Sequence, residues 1–161
     1  MPKTGRSAKL LVDANLLVLL AVGRVNRNRI ETFKRTSSYS RTDFDLLVRF
    51  LDGFVQNIYT VPHVWAEVSN LTDLPGPERR EVRRVVRETI SMFKEIEMPS
   101  SIAASDSLFE HLGLSDAAIS AAARSNNCGV LTDDLDLYLR LSQKGVNVIN
   151  FAHLRAQNWG L

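Results

Sequence analysis

Asp13 interrupts an otherwise apolar run, KLLVDANLL at residues 9–17. An ionised carboxylate among aliphatic side chains is costly unless it is paired, hydrogen-bonded or bound to a metal. Three further segments carry acids: Glu67 in VPHVWAEVSNL, Asp116 in LGLSDAAISAAA, and Asp133, Asp134 and Asp136 in GVLTDDLDLY. No histidine or cysteine stands with them at ligand spacing, which argues against zinc. Oxygen-only sites suit hard cations such as Mg²⁺ or Mn²⁺. Phosphodiester hydrolysis calls for such an ion, to neutralise phosphate charge, activate water and stabilise the leaving oxygen.

Each acid also has an ordinary explanation. Asp116, beside Ser115, suits the positive end of a helix dipole. Asp133, Asp134 and Asp136 read equally well as turn and cap residues, and Glu67 as an exposed helix residue. Asp13 resists this treatment because its neighbours on both sides are apolar. What decides between the readings is whether the chain brings all four segments to one place.

Strands and helices alternate along the chain. Residues 9–13 read as a strand and 14–22 as a helix apolar all round, ended by Gly23. Residues 24–42 are polar and basic without a clear period, a loop or partly helical excursion. Thr42 then caps an amphipathic helix marked by Phe44, Leu47, Val48, Leu51, Phe54, Val55 and Ile58. A strand over 58–61 leads into a helix opened by Pro62. Pro77 opens a long helix with Val82, Val85, Val86, Ile90 and Phe93 inward, and EIEMP forms a short edge strand. A helix over 101–112 ends at Gly113, and Ser115 caps another reaching Asn126. Strand 128–132, helix 135–144, strand VNVIN and a helix over 151–158 complete the pattern. This is the signature of a parallel β-sheet flanked by helices on both faces, an α/β fold. Ligands of such sheets bind beyond the carboxyl ends of the strands. With strand 9–13 central between those at 58–61 and 128–132, Asp13, Glu67, Asp116 and one of Asp133, Asp134 and Asp136 should converge within about 4 to 8 Å, a spacing suited to one or two hydrated metals.

The 161 residues suit one domain, with 1–8 a flexible start and 9–161 the folded unit. No apolar run is long enough to span a bilayer, and the basic MPKTGRSAK start lacks a signal-peptide core. One cysteine, Cys128, fits a reducing, cytoplasmic setting. Net charge is only +2, so affinity for a polyanion must come from local clustering.

The acidic segments and the closing VNVINF together resemble the PIN-domain nucleases, most closely the small toxin-like branch of VapC type, over about residues 9–154. The resemblance implies a PIN-like fold and a Mg²⁺- or Mn²⁺-dependent ribonuclease. Asp13, Glu67 and Asp116 match the first three acids of the family pattern. Its fourth motif, Thr-x-acid, matches Thr132 and Asp134, with Asp136 as an outer candidate. Asn15, following the first acid, is implied to hold Asp13 or a water. Also implied are an RNA substrate, a homodimer and, for a toxin, an antitoxin partner. The sequence departs from the compact toxins in its longer 24–42 connection. The opposing reading is a catalytically silent PIN-fold scaffold that binds RNA or protein; a non-catalytic scaffold has no need for mutually repelling carboxylates. An aspartyl phosphatase is weaker, because DANLL lacks a second aspartate two residues on.

Two basic clusters compete as an RNA surface. Arg24, Arg27, Arg29, Lys34, Arg35 and Arg41 are accompanied by one acid, Glu31, the usual footprint for a phosphate backbone. Arg79, Arg80, Arg83, Arg84 and Arg87 are interleaved with Glu78, Glu81 and Glu88, which reads first as a salt-bridged outer helix face. His63 shares a helix face with Glu67 but reads as a surface or cap residue, His111 and His153 as structural, Cys128 and Trp65 as core.

Overall fold

The computed structural model describes residues 8–160. Five short strands form one parallel sheet: β1 (Leu10–Val12), β2 (Ile58–Thr60), β3 (Lys94–Glu95), β4 (Gly129–Thr132) and β5 (Val148–Asn150). Their spatial order is β3-β2-β1-β4-β5, with Leu11 beside both Tyr59 and Val130. β1 is therefore central, and its three residues are wholly buried, as a strand covered on both faces requires. From β1 the chain steps outward to β2 and β3, then crosses back to β4 on the other side. That reversal makes the gap between β1 and β4 a topological switch point, where sheets of this class place their ligands.

Among the described residues eight α-helices connect the strands and a ninth follows the last: α1 (Ala14–Val25), α2 (Arg41–Asp52), α3 (Pro62–Leu71), α4 (Glu78–Met92), α5 (Ser100–Ala104), α6 (Phe109–Leu112), α7 (Leu114–Asn126), α8 (Leu135–Gln143) and α9 (Phe151–Asn158). α1 packs against α2, α3 and α4, and α7 against α5 and α6. Because parallel crossovers are right-handed, the outward steps and the return put these two groups on opposite sheet faces. α1 buries nearly its whole surface, Leu16 to Gly23 without a break. No helix among the described residues is long and apolar enough to cross a membrane.

Several local expectations are corrected. Gly23 does not end α1, which continues to Val25. It is buried with the Phe44 ring lying where a Cβ would stand, so it permits close approach of α1 and α2. α2 is capped by Ser40 rather than Thr42: the Ser40 hydroxyl accepts from the Asp43 amide (3.1 Å) and the Asp43 carboxylate from the Ser40 amide (2.8 Å). This reciprocal pair is the capping box, whose serine alone is worth about 1 kcal/mol. α2 stops at Asp52, leaving Val55 exposed. The 26–40 excursion holds a 3₁₀ turn at Arg27–Arg29 and is pinned by buried Ile30, Phe33, Thr36 and Tyr39.

Further along, the expected helix over 101–112 is two short ones, α5 and α6, broken where the Asp106 carboxylate accepts from the Leu108 amide. Gly113, at φ +88°, is itself the N-cap of α7, so Ser115 lies inside the helix. In α4 the buried stripe is Val82, Val85, Val86 and Thr89, and Ile90 is exposed. The expected flexible start at 1–8 lies outside the described residues except for Ala8, which packs against the core.

Gly23→Ala would drive a methyl group into the Phe44 ring. Overpacking of this kind costs about 1–3 kcal/mol. Urea denaturation should show that loss, and Phe44→Leu in the same background should recover part of it.

Candidate active site

The acids are placed by backbone. β1 runs straight into α1, and Asp13 is the joining residue; its amide donates to the Leu131 carbonyl of β4 (3.0 Å). Its carboxylate is 5% exposed and fully engaged. Oδ1 accepts from the Ala14 amide (2.7 Å), capping α1, and Oδ2 accepts from the Thr132 hydroxyl (2.6 Å). Thr132 ends β4 and is itself fully buried. Its hydroxyl also accepts from the Asp134 amide (3.0 Å), and Asp134 caps α8 through Leu137 (3.0 Å). One hydroxyl thus ties the ends of two adjacent strands across the switch point.

The Asp13 pKa is raised to about 6: burial pushes it up most, the hydrogen bonds from Thr132 and Ala14 oppose the rise, and the charges of Asp133 and Glu67 add to it. The magnitudes explain why the hydrogen bonds do not win. Desolvating a carboxylate costs several kcal/mol, whereas each hydrogen bond to a charged group returns about 1.5–3 kcal/mol. Asp116, partly buried in the first turn of α7, is pushed up to about 8, first by burial and then by the charges of Asp13, Asp134 and Glu67. That influence brings together acids from four segments; α3, bearing Glu67, and α7, bearing Asp116, are also in contact.

Among the described residues no three His, Cys, Asp or Glu side chains form a ready-made metal cage. Like charges repel, and Asp13 and Asp134 are each drawn into a helix cap. The donor set nevertheless fits a hard divalent cation: every donor is a carboxylate, and Mg²⁺ keeps several of its waters and needs only one or two protein carboxylates.

Asp133 and Tyr39 carry more of the site than sequence reasoning gave them. The Tyr39 hydroxyl donates to Asp133 Oδ2, while Asp133 Oδ1 is buried without a partner. Burial raises this carboxyl's pKa, Arg155 opposes the rise and Asp134 adds to it. Arg155 stacks over the Tyr39 ring (5.2 Å) and pairs with buried Asp43 (2.9 Å). Tyr39, with Phe33 one of two aromatics in a mostly polar stretch, is the sequence signal that residues 26–40 return to this rim.

Other candidates fall elsewhere. Asn15 is exposed and makes no hydrogen bond with Asp13, whose oxygens are already satisfied. Asp136 is exposed in the first turn of α8. His63 bonds Ser100 (2.9 Å), not an acid, and Cys128 is a buried core thiol. The basic 24–41 stretch is largely neutralised: Arg27 pairs with Asp45 (2.6 Å), Arg29 with Glu78 (2.5 Å), Lys34 with Asp73 (3.0 Å) and Arg41 with Glu31 (3.6 Å). Arg35 lies close enough to Asp73 to lower that acid's pKa. Arg24 bonds Thr89 (3.3 Å) and lies eleven residues along α1 from Asp13, about 16 Å at the helical rise. Its segment was read as one-sided because its acidic partners are distant in sequence.

Fold and rim together define a doubly wound α/β domain with an acidic site at its switch point. The chain belongs to the PIN domain family, whose family model matches residues 10–140. PIN domains are generally nucleases and typically use divalent metals. Among solved structures, the chain is similar to PAE2754 from Pyrobaculum aerophilum (17% identity, 98% of this chain and 100% of that one, TM-score 0.57). It is also similar to a chain of FitAB bound to an IR36 DNA fragment (17% identity, 88% of this chain and 94% of that one, TM-score 0.57). At that identity the likeness is one of fold. No curated protein matches the sequence.

The raised acids predict a pH dependence of stability. Both folded-state pKa values lie above the ordinary 3.8, so the folded protein holds protons that the unfolded chain has released. The stability these groups contribute is full below pH 3.8 and is lost as pH rises through about 6 for Asp13 and about 8 for Asp116. Thermal melts should show Tm falling across that window, and Asp116→Asn should flatten its upper half. Mg²⁺ should raise Tm more at pH 8 than at pH 5.

Proposed function

We propose that this chain is a Mg²⁺- or Mn²⁺-dependent endoribonuclease. The observation that carries the reading is the meeting of acids from four segments at one rim: Thr132 ties Asp13 to Asp134 and α3 meets α7, and burial with the charges of Asp13, Asp134 and Glu67 pushes the Asp116 pKa up to about 8. Such a concentration of like charge has no structural use, and a divalent cation is what relieves it. Asp13, Glu67, Asp116 and Asp134 would hold the cation, with Asp133 as a reserve donor through its unpartnered oxygen. The cation would supply charge neutralisation at the phosphate and lower the pKa of a nucleophilic water.

The chain's own residues do the positioning. Thr132 locks the Asp13 carboxylate in one orientation and ties it to the backbone of Asp134. Tyr39 fixes Asp133 at the edge of the site. With its proton lost, Asp116 would join Asp13, Glu67 and Asp134 as a carboxylate donor to the cation. The nucleophile is water and not the ribose 2′-hydroxyl, so the products carry a 5′-phosphate and a 3′-hydroxyl. The resemblance to VapC-type toxins supports a cytoplasmic role in a toxin–antitoxin pair, with an antitoxin as partner and a homodimer as working form.

End-labelled single-stranded RNA should be cut with Mn²⁺ and left intact with EDTA. Asp116→Asn should lower the rate by roughly a thousandfold or more, as loss of a group acting within a unit does. Thr132→Val removes only the positioning bond and should cost about 10–100-fold. A 2′,3′-cyclic phosphate product, or cutting that survives EDTA, would contradict the mechanism. RNA binding without any cutting would make the chain a silent scaffold.

A further inference from the structure

The two basic clusters exchange the roles their sequences suggest. Arg27, Arg29, Lys34 and Arg41 of the 24–41 stretch are paired with acids, whereas none of Arg79, Arg80, Arg83, Arg84 and Arg87 forms an ion pair among the described residues. All five are exposed on α4. The acids interleaved with them do not neutralise them: Glu78 is taken by Arg29, and only Glu81 and Glu88 remain.

The arrangement is ordered. Buried Val82, Val85, Val86 and Thr89 mark the inner face of α4. Arg80, Arg83, Arg84 and Arg87 repeat the same spacing two residues earlier, about 200° around the helix, and so form its outer face. Residues three and four apart on a helix are about 5–6 Å apart, which sets four guanidinium groups in one continuous band. These arginines line an open groove with Pro77 and Glu81. A second groove, between α3 and α4, is lined by Ser69, Thr72, Arg83 and Arg87.

We infer that this outer face of α4 is the docking surface for the RNA backbone. Unpaired like charges on one helix face are unfavourable for the isolated protein, and a polyanion is the partner that compensates them. The helix uses five arginines and no lysine. A guanidinium offers a planar, two-pronged donor that matches phosphate, where an ammonium would serve equally well if only solubility were needed. α4 packs against α1, which Asp13 caps, and against α3, which carries Glu67. An RNA strand held on α4 therefore lies one helix away from both acid-bearing helices. The inference deepens the nuclease reading by naming the surface that holds the substrate.

Binding is measured separately from cutting, in an Asp116→Asn background with EDTA, by fluorescence anisotropy of a labelled single-stranded RNA between 50 and 300 mM salt. Each phosphate contact contributes about −0.7 to the slope of log affinity against log salt, so replacing Arg80, Arg83, Arg84 and Arg87 by Gln should flatten the slope by about 3 units. Affinity at 100 mM salt should fall roughly 30-fold or more on the same grounds. Glutamine keeps helix propensity close to that of arginine, and circular dichroism checks the fold. Replacing the four by Lys should keep most of the slope. A charge-matched control, Gln at Arg24, Arg27, Lys34 and Arg41, should lose less than threefold. The arginine assignment is overturned by equal losses in both sets, by an unchanged slope, or by unchanged RNA affinity with an altered oligomeric state, which would give this face to a second copy. If the arginines carry binding but the wild type never cuts with Mn²⁺, docking stands and the nuclease reading falls.

Discussion

The burial of one carboxylate at the end of the central strand governs the rest of the site. Asp13 cannot be solvated where it stands, and two hydrogen bonds do not fully compensate. The bond to Ala14 makes it a helix cap, which explains how an acid survives at the mouth of a wholly apolar helix. The bond to Thr132 reaches the neighbouring strand and fixes the geometry of the switch point. Capping and site-building are therefore one role, and the ordinary explanation of Asp13 does not compete with the chemical one.

From that anchor the remaining acids acquire their properties. Asp116 enters from the opposite helical layer, on α7, and meets a field already negative from Asp13, Asp134 and Glu67. Asp133 is held from a third direction by Tyr39, which is itself braced by Arg155 and, through it, by the capping residue Asp43. The rim thus joins β1, β4, α3, α7 and the 26–40 excursion. A domain built this way gathers acids at one edge, and the proposed cation would relieve their repulsion.

How much of this the sequence disclosed depended on the range of the interactions. The alternation of strands and helices, the start of α3 and the bounds of α9 follow from periodicity and turn residues, which are local. What failed was set by contacts across the chain. Gly23 looked like a terminator because its neighbour, the Phe44 ring, arrives from another helix. Ser40 and Asp43 did spell a capping box, but Thr42 stood closer to the apolar pattern. The basic 24–41 stretch looked unpaired because Asp45, Asp73 and Glu78 reach it only through folding, and Glu78 is thereby withdrawn from the arginines of α4.

The central claim is that a divalent cation would complete this site and displace the proton that burial and neighbouring acids favour on Asp116. Isothermal titration of Mn²⁺ at pH 7, repeated in buffers of different ionisation enthalpy, counts the protons released on binding. With Asp116 near 8 and Asp13 near 6, close to one proton should leave, almost all of it from Asp116. The Asp116→Asn protein should release almost none. Tight binding without proton release, or the same release from Asp116→Asn, would contradict the account.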